Sequence, residues 1–452
     1  MLFSNKRSLF RSLILVLMLF WCLAVNGVSE ANEYKEFTIN IEETYQTIEG
    51  FGASIAWYEN WVTAHPNKKE LYNVLFKELG LDILRLQNWY GKQPETGAHT
   101  TEIVKEAERS LGRPIKILIS SWSPPASLKS NNDVEHGGTL KKENGQYLYQ
   151  EFANYWYDSL MAYAKVGIVP EYISIQNEPD YKAEWNSCLF GPEETKEVAG
   201  YDKALAAVYN KLQEMDNPPK IIGPETIGIG YDAVEKYSQK MNMDYIYALA
   251  HHLYHGGDYT NPTTFSYKMR KIRVMFPEKL IFQTEFERGD GFQTAWVIHN
   301  ALVEESVNAY LYWDLVWVDR GLVKIENPWR TSNWETKKGF NKNNMYYAVQ
   351  HYAKFTEPGY KRVEAKGDSN RLKVSAFISP DGKQLVIVAL NTLFIEEKLK
   401  LNLLDYQADE SQIYRTAFMG IDGERFTKIG SLEEGQTIAL PGLSMVTVVL
   451  KR

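Results

Sequence analysis

Apolar and polar positions along the chain fall into two regimes. In the first, short apolar runs alternate with longer stretches whose apolar positions recur every three or four residues. The runs at 47–54, 82–87, 115–120, 172–176, 220–223, 247–252, 280–284 and 309–313 read as strands. The stretches at 67–79, 101–111, 147–166, 193–215, 232–240, 265–276, 294–305 and 344–355 read as helices; in the first, Leu71, Val74, Leu75 and Leu79 share one face. Eight strand-then-helix units in succession predict an α/β protein built as a (β/α)₈ TIM barrel. The near-continuous apolar run at 115–120 suits a strand covered on both faces. The small residues of Gly50-Phe51-Gly52-Ala53-Ser54 suit a tight barrel floor. Two long segments, 122–146 and 317–339, are of the length that usually carries function.

Beyond Pro358 the period changes to two. Alternating runs at 372–377, 384–391, 397–403, 412–418 and 444–450, separated by Gly, Asn, Asp and Pro, predict an antiparallel β-sandwich side domain. An isolated alternating run at 34–45 (Phe37, Ile39, Ile41) is expected to join it. The expected organisation is a leader at 1–31, a barrel at 46–355, and a sandwich made of 32–45 plus 356–452.

The leader has the pattern of a secretory signal. Lys6, Arg7 and Arg11 precede an apolar run at 13–25, followed by small and polar residues. That run falls short of the ~20 residues a bilayer span needs, so the chain is expected to be secreted, extracellular or periplasmic, and free of the membrane. Removing three cations and Glu30 moves the formal charge from −7 to −9. It leaves Cys188 as the one cysteine, so no intrachain disulfide can form and core size must supply stability. A negative charge without a Lys/Arg stripe argues against nucleic acid as a partner. Aromatic residues make up 13% of the chain, including 12 Trp and 29 Tyr, a surplus that suits flat platforms for sugars.

Two strand ends carry a glutamate: Gln176-Asn177-Glu178-Pro179 and Gln283-Thr284-Glu285-Phe286. Pro179 has no N–H for a ladder, so the strand stops there and Glu178 is held at its lip. By count these are strands four and seven, on opposite sides of a barrel mouth. Two carboxylates across a cleft are the equipment of glycoside hydrolysis; a gap of ~5–5.5 Å retains anomeric configuration and one of ~6.5–9.5 Å inverts it. Spacing alone does not say which glutamate does which job. Glu225, behind Pro224, and Glu287 read as supporting or surface carboxylates. In His251-His252-Leu253-Tyr254-His255 two histidines lie four apart, but on a strand that spacing does not converge on a metal, so the stretch reads as a polar strand end. No metal or cofactor is expected.

The chain resembles glycoside hydrolase family 30. The matching pieces are Ile48-Glu49-Gly50-Phe51-Gly52-Ala53-Ser54, Ile83-Leu84-Arg85, Ser120-Ser121-Trp122-Ser123-Pro124-Pro125, Ile175-Gln176-Asn177-Glu178-Pro179, Gln283-Thr284-Glu285 and Leu311-Tyr312-Trp313, all in order. The resemblance implies a retaining double displacement, with Glu178 as general acid/base and Glu285 as nucleophile. It implies that Asn177 binds the 2-hydroxyl of the sugar, that Arg85 and Tyr254 contact the nucleophile, and that Trp122 and Trp313 wall the sugar site. Trp57, Trp89 and Tyr58 are looser candidates for flanking subsites. The bland alternatives are barrel filling for Trp313, a structural acid as the partner of Arg85, and ordinary packing for Trp57 and Trp89.

The pieces look nearest the xylan-cleaving branch, so a xylan-like polysaccharide is the expected substrate of a monomeric enzyme. In that branch an arginine-bearing loop after strand eight holds a glucuronate side group. This chain instead reads Asp314-Leu315-Val316-Trp317-Val318-Asp319-Arg320, whose acids oppose an acidic branch, so strict dependence on glucuronate is not expected. The action is expected to be endo or xylobiose-releasing. Competing readings are cleavage of another β-linked glycan, such as a β-1,6-glucan or galactan, and a non-catalytic glycan-binding barrel.

Overall fold

The computed structural model describes residues 34–89, 96–419, 423–433 and 435–452; the leader at 1–31 lies outside them. Eight parallel strands close into a barrel in sequential order: β1 (Gly50–Ser54), β2 (Ile83–Gln87), β3 (Lys116–Ser120), β4 (Tyr172–Ser174), β5 (Lys220–Gly228), β6 (Ala248–His255), β7 (Leu280–Glu285) and β8 (Ala309–Tyr312), with β8 pairing back onto β1. Helices follow the strands and cover their outer faces, which explains why the strand sequences are apolar nearly throughout. Inside, Ile83, Leu118, Tyr172, Ile222, Phe282 and Leu311 fill the lower barrel as one cluster. Gly52 is required by that closeness: a Cβ there would lie 2.5 Å from the Ile83 carbonyl oxygen and 2.9 Å from the Leu311 side chain.

The floor is closed by polar groups at the strand beginnings. Glu49 accepts hydrogen bonds from Lys116 (2.7 Å), Tyr172 (2.7 Å) and Tyr247 (2.8 Å). Burial alone would raise its pKa, but these donors outweigh it and hold the carboxylate below its ordinary value.

Three elements depart from the pattern expected of the sequence. The helix expected at 193–215 is confined to Tyr201–Leu212. Residues before it bend through a Thr195 turn, and Gly191 bridges to Gly200, whose N–H donates to the Tyr149 hydroxyl at 2.7 Å. The segment 193–197 has helix-favouring residues but no apolar face, and propensity without burial loses to tertiary contacts. β4 ends at Ser174, two residues early, because the backbone turns inward to present Asn177 and Glu178. β5 continues past residue 223, with a register shift between Pro224 and Thr226. A bulge is where a strand can take a proline.

Among the described residues, nine further strands form one sheet, and short strands in the barrel's loops make a three-stranded sheet (Val316–Trp317, Val323–Ile325, Phe340–Lys342) and a two-stranded one (Lys142–Glu143, Gln146–Tyr147). The nine-stranded sheet is antiparallel except where Lys35–Thr47 runs parallel to Glu397–Leu404, so the expected purely antiparallel arrangement is corrected at that pair. The other edge of Lys35–Thr47 pairs antiparallel with Lys361–Gly367. Strand alternation splits Gln384–Asn391: Leu385, Ile387 and Ala389 join a core with Phe37, Leu399 and Leu440, while Val386, Val388 and Leu390 join the large barrel core. The sheet thus doubles over its own core and lays its other face on the barrel. At that seam buried His351, on the helix Asn344–Ala353, bonds Thr447 and Thr416 through its two ring nitrogens, each at 2.8 Å.

Candidate active site

The upper barrel mouth gathers charged groups from β2, β4, β5, β6 and β7. Arg85 on β2 is fully buried, and the mouth is built on its guanidinium. Nη1 donates to Glu285 Oε2 at 2.6 Å, Nη2 to Asn177 Oδ1 at 2.6 Å, and Nε to Ser120 Oγ at 3.2 Å. Nη2 also lies 3.1 Å from Glu225 Oε1. Its flat face is covered by Trp122, 4.5 Å from the ring centroid, and Trp313, at 5.8 Å. Only a planar fork of fixed donors serves four acceptors at once.

Local backbone aims the carboxylates. On β7 the register shifts between Gln283 and Glu285, which stand opposite the consecutive residues His251 and His252 of β6, so one extra residue turns Glu285 into the mouth. Glu178 has φ of 47°, in the left-handed region, at a cost of about 1–3 kcal/mol. Its N–H donates to the Glu225 carbonyl at 3.0 Å, while Asn177 N–H is held by the Ser121 carbonyl at 2.8 Å. These bonds fix the strained turn that sets Glu178 across from Glu285.

Glu178 bonds His252 Nδ1 at 2.9 Å. His252 Nε2 lies 3.8 Å from both Glu225 and Glu285. An oxygen of Glu178, an oxygen of Glu285 and a ring nitrogen of His252 all lie within 4.8 Å of one another. Burial pushes the Glu178 carboxyl up to about 7 against the pull of His252. For Glu225, burial would raise the pKa, but Arg85 and His252 hold it at about 2. Burial disfavours a charged His252, yet Glu285, Glu178 and Glu225 together lift the ring to about 9. Arg85 and a charged His252 thus stand against the Glu225 carboxylate and beside Glu285, since a dry site tolerates charge only where it is paired. Glu178, His252 and Glu285 also have metal-ligand spacing, with His252 Nδ1 already engaged by Glu178.

The Tyr254 hydroxyl donates to Glu285 Oε1 at 3.0 Å; burial, with Glu285 beside it, keeps the phenol protonated far above its ordinary range. Above these groups opens a cleft of about 580 Å³, lined by Trp57, Trp122, Trp313 and Trp317, whose rings touch in succession, and by Tyr181, Trp185, Ile227 and His255. Trp89 stacks edge-on behind Trp57 at 5.7 Å, and Tyr58 likewise meets Trp317 at 5.0 Å.

Every candidate drawn from the sequence is thus at or beside one cleft. The structure adds His252, which sequence reading placed in an undistinguished polar strand end. The available signal was its register: a titratable residue at the tip of a strand between those bearing the two glutamates. Glu225 is a buried supporting carboxylate, and Glu287 lines the cleft. His251 faces away, bonding Glu305 at 2.8 Å, and His255 is exposed, so the pair four apart does not converge.

Residues 84–356 match the glycosyl hydrolase family 30 TIM-barrel domain. The chain belongs to glycoside hydrolase family 30. It is therefore a glycosidase, near the xylanase branch of this family. It is 26% identical over 408 residues to glucuronoxylanase XynC of Bacillus subtilis, covering 84% of each chain. Its fold is similar to that of a family 30 subfamily 8 xylanase from Clostridium acetobutylicum (TM-score 0.69, 23% identity, 92% of this chain and all of that one). It is equally similar in fold to an endo-β-1,6-glucanase (TM-score 0.70, 19% identity, 92% and 94%). One fold thus serves proteins named for different substrates, and substrate must be argued from the cleft.

Proposed function

We propose that this family 30 enzyme is secreted and cleaves β-1,4-xylosidic bonds of xylan with retention, by double displacement. The observation that carries the mechanism is the pair of carboxyl oxygens, one on Glu178 and one on Glu285, within 4.8 Å across the cleft. That places the two oxygens closer together than the ~6.5–9.5 Å separation of inverting enzymes, which supports retention.

Glu285, aimed by hydrogen bonds from Arg85 and Tyr254, attacks the anomeric carbon. Glu178, kept protonated near neutrality by burial, gives its proton to the departing glycosidic oxygen. The covalent glycosyl-enzyme is then opened by water, whose proton returns to Glu178, and the new bond forms on the face the leaving group had occupied. Asn177 Oδ1 is taken by Arg85, which leaves the amide NH₂ to donate to the sugar 2-hydroxyl. Trp122 and Trp313, ring centroids 5.5 Å apart, supply the apolar walls of the reacting-sugar site.

Xylan is supported by the likeness to XynC over most of both chains. Dependence on glucuronate is not: Arg320 lies 3.8 Å from Glu287, in a nook it shares with Asp314 and Asp319, and Arg288, which lines the cleft, lies 3.8 Å from the same Glu287. Secretion rests on the pattern of the leader; no helix among the described residues is long and apolar enough to cross a membrane. The test is the product profile on arabinoxylan and glucuronoxylan beside Glu285→Gln. Products from both polymers, lost in the variant, are expected. Hydrolysis of a β-1,6-glycan alone would transfer the enzyme to the other substrate, and full activity in Glu285→Gln would overturn the site.

A further inference from the structure

The loop that carries Glu178 continues into a second aromatic pair that the mechanism does not use. Tyr181 and Trp185 line the cleft with ring centroids 6.4 Å apart, and Trp185 is 51% exposed. An indole left half in water is usually mobile; here the backbone that carries it is braced. Its turn is closed by Ser187, whose hydroxyl accepts from Ala183 N–H at 3.3 Å and donates to the Ala183 carbonyl (3.0 Å) or the Trp185 carbonyl (3.1 Å). The same hydroxyl accepts from Gly137 N–H at 2.9 Å, so both of its lone pairs are occupied.

A buried ammonium tightens the bracket. Lys129 Nζ donates to the Ser187 carbonyl at 2.6 Å, and burial lowers its pKa. Thr139 adds a bond to the Leu189 carbonyl at 2.7 Å. The long loop after β3 is therefore spent on holding the loop after β4. Burying a lysine is costly, and here it fixes the backbone turn that presents an exposed tryptophan.

Position decides what the platform is for. A proton donor stands beside the oxygen of the group that leaves. Tyr181 and Trp185 follow Glu178 on the same loop and line the cleft with it, whereas Trp57, Trp122 and Trp313, which pack ring to ring, follow other strands. Resting on the reading of Glu178 as the acid, we infer that Tyr181 and Trp185 form the platform for the leaving-group side of the glycan. The second sugar or later ones beyond the scissile bond stack there. The enzyme then draws binding energy from a polymeric leaving group and prefers bonds with sugars on both sides.

The test compares kcat/KM for xylohexaose with that for nitrophenyl β-xylobioside, whose leaving group is one small ring. In Trp185→Ala the ratio of the two is expected to fall about tenfold, and in Trp185→Phe to recover to within about threefold of the parent. A ratio unchanged in Trp185→Ala, or equal losses on both substrates, overturns the platform. Glu178→Gln run alongside separates the underlying assignment: undiminished hydrolysis of xylohexaose in that variant would sink the acid role itself. Should the parent cleave a β-1,6-glucan instead, the same ratio is read with that oligosaccharide and its aryl glycoside.

Discussion

Replacing His252 with glutamine probes how the site keeps a proton on one glutamate and off its neighbours. The ring bonds Glu178 at 2.9 Å, is itself held charged up to about 9, and is fully buried. A hydrogen bond to a charged group contributes about 1.5–3 kcal/mol, and one pKa unit corresponds to about 1.4 kcal/mol. Losing the imidazolium should therefore raise Glu178 by about 1–2 units. The sign follows from charge: removing a cation disfavours the carboxylate, so the proton is kept to higher pH. The alkaline limb of kcat/KM, which reports loss of the acid in the free enzyme, should move from about 7 to about 8–9. At pH 8 the protonated share of Glu178 would rise from ~0.1 to ~0.5–0.9. The assay is a pH profile of kcat/KM on a xylo-oligosaccharide, whose poor leaving group needs the acid. An alkaline limb that stays in place or moves down would refute the reasoning.

Three further outcomes follow from the same contacts. Arg85→Lys keeps the charge but cannot reach Glu285, Asn177, Ser120 and Glu225 together, so kcat should fall by about 10²-fold or more while circular dichroism is unchanged. Glu225→Gln removes one partner of a wholly buried pair and should cost about 3–5 kcal/mol in urea unfolding; a loss under ~1 kcal/mol would mean that Glu285 alone satisfies Arg85. Glu49→Gln should lower stability at neutral pH but not in acid. Its carboxylate has a depressed pKa in the folded state, so its contribution is present above the unfolded pKa and is lost as pH falls through the folded one. Urea titrations at pH 7 and pH 3 should show the gap between parent and variant closing.

The barrel strands were legible because being covered on both faces leaves a run of apolar residues that little else produces. Glu178 and Glu285 were legible because each ends such a run. What escaped was decided by contacts between distant segments. Glu193-Glu194-Thr195-Lys196-Glu197 has helical composition, but Gly200 and the Tyr149 hydroxyl bend it away. Glu225 could be seen behind a proline; that it lies beneath Arg85, held near 2, depends on a bulge, and a bulge breaks the period-two count that strand reading relies on. His252 was hidden for the same reason, since a shift opposite Glu285 decides which of two adjacent histidines faces the mouth. The loop after β3 was visible as long and polar. Its use, a lysine buried under the turn of Trp185, was not.

Lys35–Thr47 lies inside the nine-stranded sheet, between strands that come near the other end of the chain. Phe37 pairs with Gly367, 330 positions later, and with Leu401 on its other side. At ~5–20 residues per second, a ribosome takes roughly 15–65 s to supply the first of those partners. Throughout that time this strand has two open edges and no sheet to enter. The seam against the barrel, which needs Thr416 and Thr447, closes later still. The assembled molecule therefore cannot form on the emerging chain; it forms only once synthesis is almost finished. For the export proposed from its leader, in which a chain is threaded through a narrow channel before it folds, that delay is an advantage.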